Sequence, residues 1–215
     1  LPEGRPLSEF RTQRALPSPA PMFQAKEEDP CQAAHATLAL MRTLILDPTT
    51  ASLDELLERR KRSGLDRLDE VWEGVLHMVP APSGRHGDIE SQLHAILRPL
   101  AERAGLKMIG QSNLGASEHD YRVPDSSLHR SGASGTWHAT AALAIEIVSP
   151  NDETWEKLPF YADHQVDEVL IVDPATHRID WLALEEGAYE PTERSRLIEL
   201  GPHELGERIE WPAEE

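Results

Sequence analysis

The sequence predicts an α/β fold, with a mixed central sheet flanked by helices in a single domain. Residues 142–148 are apolar except for Glu146, and residues 169–172 are apolar throughout, which is typical of strands covered on both faces. A helical pattern lies between these two strands, and a longer one follows His86. Strands that alternate with helices in this way indicate the α/β class.

The composition limits the kind of protein this can be. With 215 residues, 39% of them hydrophobic, the chain can bury one core, so we expect one domain. The formal net charge of -17 favours solubility and argues against a generic nucleic-acid coat, because polyanions are repelled. Cys31 is the only cysteine, which excludes an intrachain disulfide and suits a reducing cytoplasm. No stretch approaches the roughly 20 apolar residues of a membrane span, so we expect no membrane partner.

The N-terminal region is rich in proline. Residues 1–50 are predicted to form a mobile tail, and a native start at Met41 is one hypothesis for this region. Residues 51–66 are predicted to form a short helix, and residues 67–212 the folded domain. Thr50 or Ser52 can cap the short helix. Its basic end, residues 59–62, is expected to be solvated, with phosphate contact as the alternative.

A hairpin and the longest helix come next. Residues 69–78 place Gly74 between two apolar pairs, which predicts a small hairpin. From His86, apolar residues recur three and four positions apart until Gly105 ends the pattern, which predicts a packing helix. Pro99 lies late in this pattern and is expected to kink or shorten the helix.

Two further strands are predicted at residues 106–109 and 121–128. Pro124 withholds a backbone donor in the second strand, so Asp125 is expected at an edge or strand end, with its carboxylate exposed. Residues 131–136 are rich in serine and glycine and are predicted to form a mobile loop.

The central strand is followed by a helix, for which Asn151 or Asp152 can provide the cap. A helix rises about 1.5 Å per residue, so a lysine near its start, Lys157, can reach back to Glu146. Pro159 is expected to distort this helix. Trp155 and Tyr161 are expected to pack into the core.

The C-terminal part is predicted to contain strands at residues 178–184 and 196–200, separated by a turn. Trp181 and Trp211 are expected to cover the edge of the sheet. No internal repeat is present in the sequence.

Candidate site chemistry centres on Glu146. Burying a carboxylate without a partner is costly, so Glu146 should meet a metal ion, a cation or hydrogen-bond donors. Together with Asp125 and Lys157 it forms a site that can hold Mg²⁺, an ion that prefers oxygen ligands, and act on a phosphate. For Glu146 alone, a structural salt bridge is the alternative interpretation. For the set, the alternative is two solvated carboxylates, Asp125 and Glu146, with Lys157 as a surface lysine.

Several stretches together resemble one known family. They are DEVWEGVLHMVPAP, His86 with its helix, YRVPD, AIEIVSP, EKLPFYADHQVDEVLIVDP and IEWP. They look like the Uma-type putative restriction endonuclease family, a branch of the PD-(D/E)xK nuclease superfamily, over residues 65–212. The resemblance implies a restriction-endonuclease-like core with Asp125 and Glu146 as metal ligands. Glu70 falls where this family places an acidic residue and is a further candidate ligand.

The resemblance also implies a function and exposes one departure. The implied activity is a metal-dependent endonuclease that hydrolyses phosphodiester bonds, with DNA as the expected partner, Mg²⁺ as cofactor and Mn²⁺ as a substitute. The superfamily places a lysine two residues after the glutamate, on the same side of the strand, but Val148 stands there. Lys157, on the following helix, resembles the migrated lysine that replaces this strand lysine in the family. A catalytically inactive nuclease-fold module with a binding or regulatory role is the alternative, and a homodimer stays open.

Other polar residues suggest less. The ten histidines show no HExxH pattern, and His86 and His94 are interpreted as packing or capping residues rather than zinc ligands. Ser149 lacks a GxSxG setting, which argues against acyl-transfer chemistry. Candidate phosphate contacts, whose screening should make cleavage fall with added salt, are Arg85, Arg122 and Arg130.

Overall fold

The computed structural model describes residues 53–130, 132–150 and 153–212. The predictions for residues 1–50, for the caps at Ser52, Asn151 and Asp152, and for Ser131 lie outside these ranges. The helices are α1 (Leu53–Ser63), α2 (Gly84–Arg103), α3 (Leu158–Asp163) and α4 (Pro202–Gly206), with 3-10 turns at Leu65–Leu68 and Trp155–Lys157. The strands are β1 (Glu70–Trp72), β2 (Val75–His77), β3 (Lys107–Ile109), β4 (Asn113–Ser117), β5 (Asp120–Arg122), β6 (Ser126–His129), β7 (Trp137–His138), β8 (Leu143–Ile147), β9 (Glu168–Asp173), β10 (Arg178–Glu185) and β11 (Ala188–Pro191).

The strands form two mixed sheets. The core sheet has the order β11-β10-β9-β8-β6-β3, in which only the β8–β9 pair is parallel. The small sheet has the order β2-β1-β5-β4-β7, with a parallel pair between β4 and β7. The predicted α/β class with a mixed sheet and flanking helices is confirmed, and the small sheet is an addition to it.

The two faces of β8 meet different helices. Leu143, Ile145 and Ile147 belong to the cluster in which α2 buries its apolar side. Ala144 lies on the opposite face, in the cluster that holds Tyr161 of α3. Because side chains alternate along a strand, Glu146 points to the α3 face.

The long helix follows its sequence signals at both ends. The Ser83 side chain accepts a hydrogen bond from the backbone N–H of His86, which caps the first turn. The chain leaves the helix through Gly105, whose φ of 72° is left-handed. Pro99 stays inside α2, which continues to Arg103, so the proline does not shorten the helix. No helix in the described ranges is long and apolar enough to cross a membrane.

The predicted strand at residues 121–128 is wrong as a single element. It is divided between β5 in the small sheet and β6 in the core sheet, with Pro124 at the crossing. A proline cannot donate to a ladder, so it marks the point where the chain leaves one sheet for the other. Asp125 therefore lies directly before β6, at a strand end as predicted.

The predicted strand at residues 196–200 is also wrong. The Ser195 hydroxyl accepts hydrogen bonds from the backbone N–H groups of Leu197 and Ile198, and Glu199 has a φ of 56°, so the segment turns. The partner of β10 is instead β11, reached through a two-residue turn at 186–187 in which both φ angles are positive.

Three aromatic predictions need correction or confirmation. Trp181 does not cover a sheet edge, because it is 1% exposed inside the core on a strand between β9 and β11. Trp155 is 45% exposed and does not pack into the core, whereas Tyr161 is fully buried as predicted.

Pro159 occupies the first turn of α3, where its missing N–H leaves no intrahelical bond unmade.

Candidate active site

Glu146 lies inside the core sheet, 3% exposed, and its partners are side chains. The Lys157 ammonium donates to both of its carboxylate oxygens at 3.2 Å. The Tyr161 hydroxyl donates a short hydrogen bond to Oε1. Lys157 and Tyr161 are four residues apart, across the 3-10 turn and the start of α3, so both can face β8.

Lys157 joins two carboxylates from the two sheets. Its Nζ lies 2.9 Å from Glu70 Oε1, besides its contacts to Glu146. Glu70 is the first residue of β1 in the small sheet, and it is buried. The backbone N–H of Val123 donates to Glu70 Oε1 at 2.8 Å, and the Trp72 indole N–H donates to Oε2 at 2.7 Å. The ammonium is thus the only cation that contacts either carboxylate among the described residues.

Asp125 is held from two sides. Its Oδ2 accepts the backbone N–H of Ile147 at 2.7 Å, and its Oδ1 lies 3.0 Å from His86 Nε2. An ionised carboxylate only accepts, so His86 donates to Asp125 through Nε2, and its Nδ1 lies 3.3 Å from Ser149 Oγ. The Asp125 side chain is 17% exposed. The expectation of an exposed carboxylate is therefore wrong, since His86 covers it.

The charges in this cluster shift the pKa values of Glu146 and Lys157. Burial raises the pKa of Glu146, Lys157 opposes that rise, and repulsion from Asp125 and Glu70 adds to it. Burial lowers the pKa of Lys157, but Glu146 and Glu70 outweigh burial, so it stays above its ordinary value and the side chain remains an ammonium. Perturbed groups that converge in this way are typical of functional sites.

A further acidic residue, Glu90 of α2, lies close to Asp125. Burial raises the pKa of Glu90, and the charge of Asp125 adds to the rise. His94, one turn further along the helix, lies 3.9 Å from Glu90 and 2.5 Å from the Ser126 hydroxyl. These residues border the cluster beside Asp125.

The structure brings the four predicted site residues together. Asp125, Glu146, Lys157 and Glu70 form one connected cluster, although their catalytic and metal-binding roles remain predictions. Val148 lies on the same face as Glu146, as its position two residues later requires. Sequence reasoning missed the contact of His86 with Asp125 and that of Tyr161 with Glu146; only the lysine–tyrosine spacing of four hinted at the second.

The predicted phosphate contacts fare unevenly. Arg122 is wrong as a phosphate contact, because its buried guanidinium bonds to Asp120 and Val71 and lies over two aromatic rings. In the basic end of α1, Arg60 pairs with Asp69 and serves the fold. Arg130 is exposed and pairs with Asp167. Contact with phosphate stays a prediction for Arg85 and Arg130.

Comparisons with known proteins agree with this architecture. A family model named Uma2 and described as putative restriction endonuclease matches residues 54–210. The crystal structure of a putative nuclease belonging to DUF820 from Anabaena variabilis is similar, with a TM-score of 0.55 and 15% identity over 65% of this chain and 90% of that chain. A cryoEM structure of a DrdV–DNA complex aligns with a TM-score of 0.35 and 14% identity, over 65% of this chain and 12% of that chain.

None of the curated proteins matches the chain. The Anabaena structure supports the fold, while the family model spans most of the sequence and indicates a nuclease. The range matched by the family model includes the residues that converge in the core, Glu70, Asp125, Glu146 and Lys157. On this ground, the chain belongs to the Uma2 family of putative restriction endonucleases.

Proposed function

We propose that the protein is a metal-dependent endonuclease that hydrolyses phosphodiester bonds in DNA, with Mg²⁺ as its ion and Mn²⁺ as a substitute. The observation that carries this proposal is the convergence of two carboxylates and one ammonium from separate elements. Asp125 precedes β6, Glu146 lies on β8, and Lys157 comes from the turn before α3. The charge of Asp125 raises the pKa of Glu146, and the charge of Glu146 raises the pKa of Lys157, in keeping with their closeness.

The donor set suits a hard divalent cation. Asp125 and Glu146 offer only oxygen, and in the described ranges no group of three or more His, Cys, Asp or Glu could hold a metal ion. Mg²⁺ typically takes one or two carboxylates and completes its shell with water and substrate phosphate, so two protein ligands suffice. Such an ion, when bound, stabilises negative charge on a phosphodiester under attack and favours ionisation of the attacking water.

The chain's own residues then have separate tasks. The backbone N–H of Ile147 and the His86 ring fix the orientation of Asp125. The Lys157 ammonium can donate hydrogen bonds to the attacking water or to a phosphoryl oxygen. In a buried setting a fixed positive charge of this kind stabilises developing negative charge more strongly than it would in water.

DNA as substrate is supported by the description of the family and has to be reconciled with a net charge of -17. A protein with 38 acidic and 21 basic side chains can approach a polyanion only where ions or local basic residues offset the repulsion. We therefore expect cleavage to fall as salt is added, because phosphate contacts are screened. The cytoplasmic location and the homodimer stay predictions.

The proposal is tested by incubating the purified protein with single-stranded and double-stranded DNA and RNA, with Mg²⁺, Mn²⁺ or a chelator. We expect DNA cleavage that needs the ion and that is lost in Asp125→Asn. Calorimetry should show Mn²⁺ binding to the wild type and weaker binding to Asp125→Asn. If neither the wild type nor Val148→Lys cuts any nucleic acid, a nuclease-fold binding or regulatory module becomes the better assignment.

A further inference from the structure

We infer that Glu70 is the anchor that holds Lys157 in position and is not a ligand of the metal ion. The inference deepens the function proposed above and rests on it wherever metal is concerned. It assigns different tasks to the two glutamates that share one ammonium, Glu70 at 2.9 Å and Glu146 at 3.2 Å.

The partners of Glu70 are rigid. Oε1 accepts the backbone N–H of Val123, which the chain presents between β5 and Pro124, and Oε2 accepts the indole N–H of Trp72 on the same strand. The Trp72 ring is itself fixed, because it stacks on His77 at a centroid distance of 4.3 Å and lies under the Arg122 guanidinium. Turning Glu70 towards an ion would leave the buried backbone N–H of Val123 unpaired, which is unfavourable because no water replaces the lost hydrogen bond.

The partners of Glu146 can move. Lys157 and Tyr161 both contact it through the ends of their side chains, and within the described part of the chain its carboxylate accepts hydrogen bonds from these two residues alone. Lys157 has a flexible stem and a second carboxylate within reach. Glu146 can therefore turn to an ion without breaking any backbone hydrogen bond. Asp125 also accepts one backbone N–H, but each of its oxygens meets a single donor and keeps a lone pair for an ion. Glu70 differs from both, because its Oε1 takes the Val123 N–H and the Lys157 ammonium together.

The consequence is a division of labour when a cation enters beside Asp125. Asp125 and Glu146 would hold the ion, and Lys157, held by Glu70, would stay next to the reacting groups. Without that anchor, the cation and the ammonium would repel each other across Glu146 and the lysine would swing away. Glu70 is thus a positioning residue that acts through Lys157.

The test is the chemical accessibility of the Lys157 amine. Wild type, Glu70→Gln and Glu70→Asp are labelled with an acylating reagent, with and without saturating Mn²⁺, and each lysine is quantified by mass spectrometry. Exposed Lys107 serves as the internal control in every sample. Glu168→Gln is the matched control variant, because it removes another buried carboxylate of the core sheet.

We expect wild type and Glu168→Gln to protect Lys157 under both conditions. Glu70→Gln should label somewhat more than wild type without metal, and at least about tenfold more once Mn²⁺ is bound, since loss of one charged contact exceeds 1.4 kcal/mol. Glu70→Asp should restore part of the protection. Mn²⁺ affinity, measured by calorimetry, should change by less than about threefold in Glu70→Gln.

Two results would overturn the inference. One is that Mn²⁺ exposes Lys157 equally in wild type and Glu70→Gln; the other is that Glu70→Gln loses Mn²⁺ affinity as strongly as Asp125→Asn does. If the wild type binds no divalent ion, the proposed function fails, and the metal-free samples alone decide the anchor. Equal labelling of Lys157 in wild type and Glu70→Gln would then refute it.

Discussion

Two buried glutamates on neighbouring parallel strands, Glu146 on β8 and Glu168 on β9, have opposite surroundings. Both are almost inaccessible, at 3% and 2% exposure. Glu168 accepts hydrogen bonds from the Trp181 indole, the Ser195 hydroxyl and the backbone N–H of Arg196. Glu146 instead meets an ammonium and a phenol, and two further carboxylates raise its pKa.

The difference shows that burial of a carboxylate does not by itself identify a site. Glu168 joins β9 to the segment after β11, and its donors are neutral and mostly fixed, so it has the character of a structural tie. Glu146 lies among groups that repel or attract it and can be rearranged by a cation. The informative feature is therefore the convergence of other charged groups, and the predictions below test whether function and stability separate along this line.

The largest expected effect is on catalysis. Glu146→Gln should lower DNA cleavage by at least about 10²-fold, because it removes a carboxylate ligand from the proposed cation site. Glu168→Gln should keep wild-type turnover per folded molecule. Cleavage assays with Mg²⁺, normalised to the folded fraction from circular dichroism, measure both. Equal losses in the two variants would dissolve the distinction between the glutamates.

The next effect concerns the cation beside Glu146. Lys157→Met should lower turnover by about 10²-fold while Mn²⁺ binds at least as tightly as in wild type, because the ammonium acts on the water and phosphate rather than holding the ion. Single-turnover cleavage and calorimetry separate the two quantities. Wild-type cleavage by Lys157→Met would reject the role, and a lost Mn²⁺ site would mean that the lysine shapes the ligands.

The contrast between the glutamates was only half visible in the sequence. Glu146 stands out because apolar residues surround it, and the position of Lys157 after the strand predicts its reach. Glu168 sits next to Asp167 at the start of its strand, where a carboxylate is expected to be solvated. In the fold it is bound by Trp181 and by residues 195–196, and these are long-range contacts without a local signal.

The remaining errors have the same origin. Pro124 indicated a disturbed strand, but no local sequence feature indicated that the chain passes from one sheet to the other there. His86 follows a capping serine, and its packing interpretation was reasonable from the helix alone. Its contact with Asp125 depends on how α2 lies across β6 and β8, which sequence periodicity does not fix. Elements with strong periodicity were predicted, whereas contacts between elements were missed apart from the reach of Lys157 to Glu146.

A smaller effect is expected on stability, and it should run in the opposite order from activity. All partners of Glu168 are donors, so the single carbonyl oxygen of Glu168→Gln leaves a donor unpaired and should cost about 2 kcal/mol. Glu146→Gln also relieves repulsion by Asp125 and Glu70, so its cost should be lower. Urea unfolding of both variants measures this. A larger loss in Glu146→Gln would make Glu146 the structural residue of the two.

The last prediction concerns how the stability contributed by Glu146 depends on pH. Burial raises the pKa of Glu146 from its ordinary 4.5 to about 8, so between these values the folded protein binds more protons at this group than the unfolded chain. The stability from this group is therefore complete below 4.5 and is lost as the pH rises through about 8. Glu146→Gln carries no such dependence.

The difference in free energy of unfolding between Glu146→Gln and wild type should accordingly shift steadily in favour of the variant as the pH rises from about 5 to 8. Urea denaturation at matched ionic strength across this interval gives the difference directly. A shift in favour of the wild type would mean that Lys157 holds the pKa of Glu146 below its ordinary value. The pair would then be a stabilising salt bridge, and the contrast with Glu168 would rest on partner mobility alone.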